Sequence, residues 1–358
     1  MANNYSEIKR GVSLYSYQQA DFFHQMTWKD QIREVANNLN GATGIEIISE
    51  CTIPHYPNPP ESFIHEWNNE ISRWGLTAVT MDTYMDTLQF RDHVLTIGEC
   101  AERLKIDLHL AKKLGFRNMR LCHNVPMAAV KMVLPLAEDL DVRMTNEIHA
   151  PSTIKPTPGV NWGETVARDV AFIEKTGTKH YGLQPDMGIF QNKPSRVSIG
   201  YALRGIGYNR EESLQRAEEI IDRFSEMDRD AFKGWMMENY KDLMESRMGS
   251  HILRGNSAEP VELYSIFQYI FCIHGKFYEM TEIPGKPGQY EDRSIMYKEV
   301  IDILNDCGYD GYIDSEYEGQ RSQQDMGYEG LPNEVEEVRR HHEMLKRLIE
   351  NDEYFIKM

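Results

Sequence analysis

Short extended runs and amphipathic helical patterns alternate along nearly the whole chain of 358 residues. Eight strand-like runs, from Gly11–Ser16 to Tyr312–Glu316, each precede a helical pattern, and Gly75 and Gly115 mark helix ends. This alternation requires parallel strands with right-handed crossovers, which leaves a closed (β/α)8 barrel or a doubly wound sheet. Polar residues collect where the later strands end, as they do in barrels. We therefore predict an α/β protein with a (β/α)8 TIM-barrel fold.

The alternation is interrupted between the sixth and seventh strands. The interval from Asp186 to His274 is roughly three times the ~30 residues that one helix and two loops need. It holds a basic, glycine-bearing loop (193–210) and two helical patterns, Glu211–Phe224 and Asp230–Met248. We predict a single domain, 1–358, in which 193–258 is a helical insertion serving as a lid or an interface.

Large apolar side chains favour a lid or an interface, because a solvated excursion would not need them. The alternative is that these side chains pack into a small core of the insertion itself. The residues in question are Phe224, Phe232, Trp235 and Met236.

The composition excludes several classes of protein. The net charge of −17 disfavours nucleic acid and anionic membranes, because phosphate would be repelled. There is no apolar run of 18 residues, and the first residues have no signal-peptide pattern. The five scattered cysteines include no C-x-x-C pair, which indicates reduced thiols. We predict a cytoplasmic protein without membrane or nucleic-acid partners.

Four successive strand-like runs end in a residue of the kind that binds metals: Glu147, Asp186, His274 and Glu316. Three carboxylates and one imidazole form an oxygen-rich site that suits Mn²⁺, Mg²⁺ or Co²⁺ better than a structural zinc, although Zn²⁺ stays open. We predict that these residues bind one divalent metal, with Mn²⁺ the first choice. The alternative is that they are ion-pair partners at the barrel rim.

His149 lies two residues beyond Glu147, so the two side chains share a strand face. Imidazole is the natural proton carrier at neutral pH, and we predict that His149 is the catalytic base. Orientation of Glu147 or of a water molecule is the alternative role. Three further residues are candidates for substrate binding: His123, Gln184 and Lys276. An ion pair is the alternative role for Lys276, and ordinary pocket lining is the alternative for the other two.

The series Glu147, Asp186, His274, Glu316 resembles that of the xylose-isomerase-like barrels of sugar epimerases and isomerases. That pattern has Glu after strand five, Asp after strand six, His before a Lys at strand seven, and Glu after strand eight. The resemblance extends from Gly11 to about Ile349. The chain departs from the pattern at Phe277, where the family usually has Asp in His-x-Lys-Asp.

The long insertion and the segments Gly-Val-Ser-Leu-Tyr-Ser-Tyr (11–17) and Pro-Asp-Met-Gly-Ile-Phe (185–190) resemble one branch, the alpha subunits of bacterial C-glycoside deglycosidases. This resemblance implies a divalent metal, typically manganese, and a small β subunit in a hetero-oligomer. It also implies a 3-keto C-glycoside substrate, from which His149 removes the C2 proton so that the bond to the aglycone breaks. The alternative is a ketose 3-epimerase or aldose–ketose isomerase, in which Glu147 and Glu316 exchange the proton.

Two further hypotheses, from other classes of protein function, remain open. A phosphodiesterase of the apurinic-endonuclease kind uses the same barrel, but the net charge of −17 disfavours it. A metal-bearing barrel without activity, acting as a binding or scaffold subunit, would show the same ligand pattern.

Overall fold

The structure is a computed structural model that describes residues 6–122, 125–150, 152–155, 163–246 and 258–350. The candidate residue His123 lies outside these ranges, as does Met248, the predicted end of the second insertion helix. No helix among the described residues is both long and apolar enough to cross a membrane.

Eight parallel strands form one sheet in the order β6-β5-β4-β3-β2-β1-β10-β7. They are β1 Lys9–Ser13, β2 Ala42–Ile48, β3 Thr77–Thr83, β4 Asn118–Leu121, β5 Arg143–Ile148, β6 Tyr181–Pro185, β7 Ile273–Phe277 and β10 Tyr312–Tyr317. A hairpin, β8 Thr281–Glu282 and β9 Tyr290–Glu291, follows β7. Isolated parallel bridges, Leu183 to Ile270 and Asp186 to His274, join β6 to β7 and nearly close the sheet. The prediction of a (β/α)8 barrel is confirmed.

Helices surround the barrel, and several begin where their sequence predicts. Thr27 caps α2 in a reciprocal capping box with Asp30, and Thr96 and Glu99 do the same for α5. The α-helices are α1 Gln18–Phe22, α2 Trp28–Asn38, α3 Ser49–Thr52, α4 Glu61–Trp74, α5 Ile97–Lys113, α6 Met127–Leu140, α7 Gly163–Thr176, α8 Arg196–Gly205, α9 Arg210–Glu226, α10 Arg229–Asn239, α11 Lys241–Glu245, α12 Tyr297–Asp306 and α13 Glu334–Ile349. Short 3₁₀ segments lie at Leu14–Tyr17, Met187–Phe190, Pro260–Ser265, Phe267–Tyr269, Gly319–Ser322, Gln324–Met326 and Tyr328–Gly330.

Alternation along the strands separates the main apolar core from the barrel interior. In β10, Ile313 is fully buried and Ser315 hydrogen-bonds His341 and His342 of α13, so these strand residues face the helices. Asp314 and Glu316, on the opposite face, point into the barrel. The helix-facing sides are mostly apolar, whereas the interior is rich in charge.

The insertion has a hydrophobic core of its own. Phe232 and Met236 are buried in this core, and Phe224 and Trp235 pack against it. These four large apolar side chains therefore pack as the alternative interpretation predicted, in a small core of the insertion itself. Whether 193–258 acts as a lid or an interface stays a prediction.

The insertion differs in detail from its predicted form. The predicted loop 193–210 contains helix α8, and the second helical pattern is divided at Tyr240 into α10 and α11. Arg204 of α8 forms an ion pair with Asp325, 2.7 Å away, and donates to the carbonyl oxygen of Ser322. These contacts fasten the insertion to the loop after β10, on the carboxyl side of the barrel.

Strand seven begins later than the sequence suggested. The apolar run 270–274 was predicted to end in His274, but β7 starts at Ile273, where it pairs with Ile313, and runs to Phe277. Gly275 permits close pairing, because a Cβ there would lie 3.1 Å from the carbonyl oxygen of Asp314. An apolar run does not reveal where pairing starts. His274 consequently lies deeper in the barrel than Lys276, which pairs with Glu316.

Candidate metal centre and active site

The four predicted metal ligands lie together, with the three carboxylates near the imidazole of His274. His274 Nδ1 lies 3.0 Å from Glu147 Oε1 and 3.5 Å from Glu316 Oε2. Glu147, Asp186 and His274 each offer a donor atom, and these atoms lie within 4.8 Å of one another. All four side chains are buried. Glu147, Asp186 and Glu316 lie at or near the carboxyl ends of β5, β6 and β10, the usual site of such barrels, whereas His274 is the second residue of β7 and lies deeper.

Arginine and histidine keep Glu147 ionised. Arg120 Nη1 lies 2.6 Å from Glu147 Oε2, and Arg120 Nε lies 2.8 Å from Asp82 Oδ1. Burial by itself would raise the pKa of Glu147, but Arg120 and His274 overcome it and hold this pKa well below its usual range. In the same way, Lys276 and His274 outweigh burial and lower the pKa of Glu316 to about 2.

Lys276 extends its ammonium group into the carboxylate cluster. Its Nζ lies 2.5 Å from Asp186 Oδ2, 3.4 Å from Glu316 Oε2 and 3.2 Å from Glu318 Oε2. Burial opposes the charge of Lys276, but these carboxylates raise its pKa well above its usual value. The ion-pair alternative for Lys276 is therefore present in the structure, and its contact with substrate stays a prediction.

His149, just beyond β5, is held in one tautomer. Its Nδ1 lies 2.6 Å from the carbonyl oxygen of Ala150, which can only accept, so Nδ1 carries the proton. Its Nε2 lies 2.9 Å from Lys276 Nζ and accepts from that ammonium. The side chain is 30% exposed, whereas the four predicted ligands are buried. The partly exposed ring therefore directs its basic nitrogen, Nε2, toward Lys276 and the carboxylate cluster.

The side chain of Gln184 is fully buried, and its amide nitrogen and oxygen both have partners within the barrel. Its side-chain nitrogen donates to Glu46 Oε2 at 3.2 Å, and its oxygen accepts from Thr145 Oγ1 at 2.9 Å. Substrate contact would require Gln184 to give up these bonds. Its predicted role in substrate binding stays untested, as does that of His123, which is outside the described residues.

Sequence reasoning did not identify Glu46, Asp82, Arg120 and Glu318. Glu46 Oε2 lies 3.0 Å from His274 Nε2, on the side of the ring opposite Glu147. A signal was available, because Glu46 and Asp82 are single charges inside otherwise uncharged strands, at positions whose strand parity turns them inward. Such charges are costly to bury without partners, and so they indicate a site.

The donor set fits a hard divalent cation. Six buried carboxylates face the barrel interior: Glu46, Asp82, Glu147, Asp186, Asp314 and Glu316. Among the described residues, the permanent cations that meet this cluster are Arg120 and Lys276. Within the described part of the chain, no hydrogen bond of good geometry reaches Asp186 Oδ2 or Glu316 Oε2, although Lys276 lies beside both. Negative charge in excess and unsatisfied oxygen atoms are what a divalent metal would compensate.

No protein-family model matches the chain. A 3'-dehydrocarminate deglycosidase alpha subunit from Microbacterium sp. is 28% identical over 325 residues, which cover 86% of this chain and 88% of the relative. A C-glycoside deglycosidase alpha subunit from Arthrobacter globiformis is 25% identical over 351 residues, covering 96% and 93%. Both relatives are named as enzymes that act on sugar derivatives, in agreement with the prediction of an enzyme.

Solved structures agree on the fold. An L-ribulose 3-epimerase has a TM-score of 0.54 at 13% identity, covering 98% of this chain and 97% of that one. A sugar phosphate isomerase/epimerase from Parabacteroides distasonis also scores 0.54, at 11% identity, with coverage of 98% and 96%. The predicted resemblance is confirmed: the chain has the barrel of sugar epimerases and isomerases, and over most of its length it is similar to C-glycoside deglycosidase alpha subunits.

Proposed function

We propose that this chain is the alpha subunit of a C-glycoside deglycosidase, which cleaves the carbon–carbon bond between a 3-keto sugar and its aglycone. One observation carries the proposal. A buried cluster of three carboxylates and one imidazole lies beside His149, whose Nε2 is unprotonated and accepts a hydrogen bond from Lys276 Nζ at the edge of the cluster. The similarity to deglycosidase alpha subunits over most of the chain selects this reaction among those of the fold.

Glu147, Asp186, His274 and Glu316 would bind one divalent metal, Mn²⁺ by preference, since three of the four are hard oxygen ligands. When bound, the metal supplies Lewis-acid polarisation of the substrate carbonyl and so makes the neighbouring carbon–hydrogen bond more acidic. The protein contributes the geometry of this site. Glu46 fixes the ring of His274 from behind, and Arg120 fixes Glu147.

His149 is the base in this proposal. The hydrogen bond from Nδ1 to the carbonyl oxygen of Ala150 holds the ring so that Nε2 accepts the proton from C2 of the sugar. Lys276 donates to Nε2 in the structure as it stands, so the ammonium must transfer its hydrogen bond to a substrate oxygen first. Asp186 Oδ2, 3.9 Å from Nε2, then stabilises the imidazolium that forms.

The remaining step is an elimination. The electron pair left by the C2 proton forms a double bond between C1 and C2, conjugated with the 3-keto group. The bond from C1 to the aglycone breaks, and the aglycone carbon takes up a proton. The products are an unsaturated keto sugar and the free aglycone, so that atoms and electrons balance without an external oxidant.

A small β subunit is part of the proposal, because both relatives are named alpha subunits. Purification from the native host tests this directly. A small chain that co-elutes in fixed stoichiometry supports the proposal, and a homogeneous alpha chain with full activity contradicts it.

Ketose 3-epimerisation is the second candidate. Glu147 and Glu316 both contact His274 Nδ1, as a pair of carboxylates flanking one substrate carbon would. The fold is also that of an L-ribulose 3-epimerase. This reading leaves the carbon skeleton intact, and the products therefore separate the two candidates.

The test is to incubate the purified protein, with any co-purifying partner and Mn²⁺, with a 3-keto C-glucoside of a flavone. We expect free flavone and the unsaturated keto sugar, detected by liquid chromatography and mass spectrometry. Ketose epimers formed from free sugars, with the C-glucoside left intact, would replace this proposal by the epimerase.

A further inference from the structure

A cavity of about 220 Å³ opens at the amino end of the barrel, opposite the face where the candidate active site lies. Five residues of its wall are the first residues of β1, β3, β4, β5 and β10: Lys9, Thr77, Asn118, Arg143 and Tyr312. None of the described residues in the wall is a predicted site residue. We call this space the basic cavity, and the mechanism above does not use it.

The wall of the basic cavity carries an excess of positive charge. Lys9, Arg117 and Arg143 contribute three permanent cations, and Asp310 is the single carboxylate among the described residues of the wall. The chain as a whole has a net charge of −17. Salt screens charges that lie more than about 8 Å apart at physiological ionic strength, so the local excess governs what binds in the cavity. This region of an acidic protein therefore favours an anion.

The two guanidinium groups have no partner of opposite charge. Within the described ranges, no hydrogen bond or ion pair joins the side chain of Arg117 or Arg143 to another residue. Burial lowers the pKa of Arg143, and the positive charge of Arg117 adds to this effect. A bound anion would relieve both the desolvation of Arg143 and the repulsion between the two groups.

The cations are positioned so that they can donate hydrogen bonds into the cavity. The guanidinium carbon of Arg143 lies over the ring of Phe271, 4.5 Å from its centroid. A guanidinium that contacts a ring through its face keeps its N–H edge for a bidentate oxyanion. Lys9 Nζ donates one of its three protons to the carbonyl oxygen of Asp310 at 2.5 Å, and this bond fixes the ammonium at the rim.

Aromatic rings separate the basic cavity from the carboxylate cluster. A Cβ at Gly182 would lie 2.6 Å from the ring of Phe271, and one at Gly44 would lie 2.6 Å from the ring of Tyr312. Glycine at these two positions therefore lets both rings occupy the barrel interior. Tyr312 precedes Asp314 by two residues, so its ring lies on the same strand face, one layer nearer the amino end. The basic cavity is thus a separate site.

We propose that the basic cavity binds a small oxyanion, a carboxylate or a phosphate group, through the guanidinium groups of Arg143 and Arg117. This inference does not rest on the proposed function. The volume of about 220 Å³ is below the range of drug-sized ligand pockets, which begins near ~300 Å³, so the ligand is small. Phe271 and Tyr312 add apolar contact for an aromatic carboxylate, whereas phosphate would use the charges alone.

Isothermal titration calorimetry with three salts tests the proposal. Sodium phosphate, sodium benzoate and sodium chloride are compared at equal ionic strength, with the protein as purified and again after treatment with EDTA. We expect phosphate or benzoate to bind saturably, with one site per chain, in both preparations, and chloride not to bind. The tighter of the two oxyanions identifies the source. Heats that follow ionic strength alike for all three salts would overturn the proposal.

Three variants and one control locate the site. Arg143→Gln should weaken binding about 10-fold or more, because it removes hydrogen bonds between charged groups. Arg143→Lys keeps the charge without the planar fork and should recover part of the affinity. Arg117→Gln, at an exposed position, should also weaken binding. Lys233→Gln removes an exposed charge from α10 of the insertion and should have no effect.

Urea unfolding provides a second measurement on the same variants. A ligand that binds only the folded chain raises the free energy of unfolding with its concentration, so the oxyanion should stabilise wild type more than Arg117→Gln. If Arg143→Gln does not fold, the comparison with Arg117→Gln still decides. Oxyanion binding of wild-type affinity in Arg117→Gln and Arg143→Lys would place the anion elsewhere and overturn the proposal. Loss of a co-purifying partner chain in Arg117→Gln, without oxyanion binding in wild type, would assign the cations to a protein interface and also overturn it.

Discussion

The two sides of the barrel mouth are built from opposite kinds of residue. Around β5, β6 and β7, buried carboxylates meet Arg120, Lys276 and His274. After β1 and β2, and beyond the end of β10, aromatic rings and uncharged amides surround an open cavity. Both sides lie at the carboxyl end of the same barrel but follow different strands, and they differ in the side chains placed there. Concentrated charge suits the polarisation of bonds, whereas open apolar surface suits contact with another molecule, so the two sides are suited to different tasks.

The two sides also respond differently to what they bind. The charged side has more carboxylates than permanent cations among the described residues, so a bound cation would stabilise it. The aromatic side carries exposed rings, among them Phe22 and Tyr328, beside uncharged amides. Variants on one side should therefore leave the binding properties of the other side intact.

The largest effect is expected for Glu316→Gln, which removes a charged ligand from the predicted metal site. Metal content should fall well below one ion per chain, and activity should fall with it. Elemental analysis measures the metal. Glu318→Gln is the matched control, because Glu318 pairs with Lys276 but is not one of the four predicted ligands. Full metal stoichiometry in Glu316→Gln would refute the ligand assignment.

His149→Phe should be next in size. Removing a general base lowers turnover by roughly 10²- to 10⁴-fold, and metal content should stay at the wild-type level. His180→Phe is the control, because His180 pairs with Asp141 and lies just before the amino end of β6, whereas Asp186 follows its carboxyl end. Turnover within a few fold of wild type would show that another group takes the proton, and Lys276 or Glu316 would be tested next.

The smallest expected effect concerns Glu334 of α13, which accepts hydrogen bonds from the backbone nitrogens of Gln19 and Ala20 on the aromatic side. Burial raises the pKa of Glu334 to about 7, against hydrogen bonds from Ala20 and Gln19 that lower it. A carboxyl whose pKa is raised by folding contributes stability below the unfolded value near 4.5, and that contribution disappears as the pH rises through 7. Between pH 4 and 8 this group should therefore reduce the free energy of unfolding by about 3 kcal/mol.

Glu334→Gln should flatten this pH dependence in urea unfolding series. Glu336→Gln, on the same helix in an ion pair with Arg340, is the control and should leave the pH dependence as it is in wild type. If the free energy of unfolding of Glu334→Gln changed with pH as steeply as that of wild type, the Glu334 carboxyl would not be the source of the pH dependence.

The sequence was most informative about the charged side. Strand parity and the recurrence of acidic and histidine residues at strand ends predicted Glu147, Asp186, His274 and Glu316, and the structure brings them together. It did not predict the depth of His274, because an apolar run does not show where pairing with β10 begins. Glu46 and Arg120 were missed, since a single inward charge in a strand resembles an ordinary ion pair until the opposite strand is known.

The aromatic side could hardly be predicted at all. Its residues lie in a 3₁₀ segment, in short helices and in the loop after β10, where no period of two or 3.6 relates neighbouring side chains. Tyr15 and Tyr328 are more than 300 positions apart in the sequence, and only closure of the barrel between β1 and β10 brings their loops together. A site built from irregular segments that are distant in the sequence can be recognised only from the tertiary structure.

The central claim is that the charged side removes the proton from C2 of a keto sugar and thereby releases the aglycone. A 3-keto C-glucoside labelled with deuterium at C2 tests it, with mass spectrometry of the sugar product and quantification of the released aglycone. We predict that aglycone release is slowed by the deuterium, requires the divalent metal, and yields a sugar product that has lost the label. Aglycone released at the unlabelled rate, with the deuterium retained on the sugar, would contradict the account.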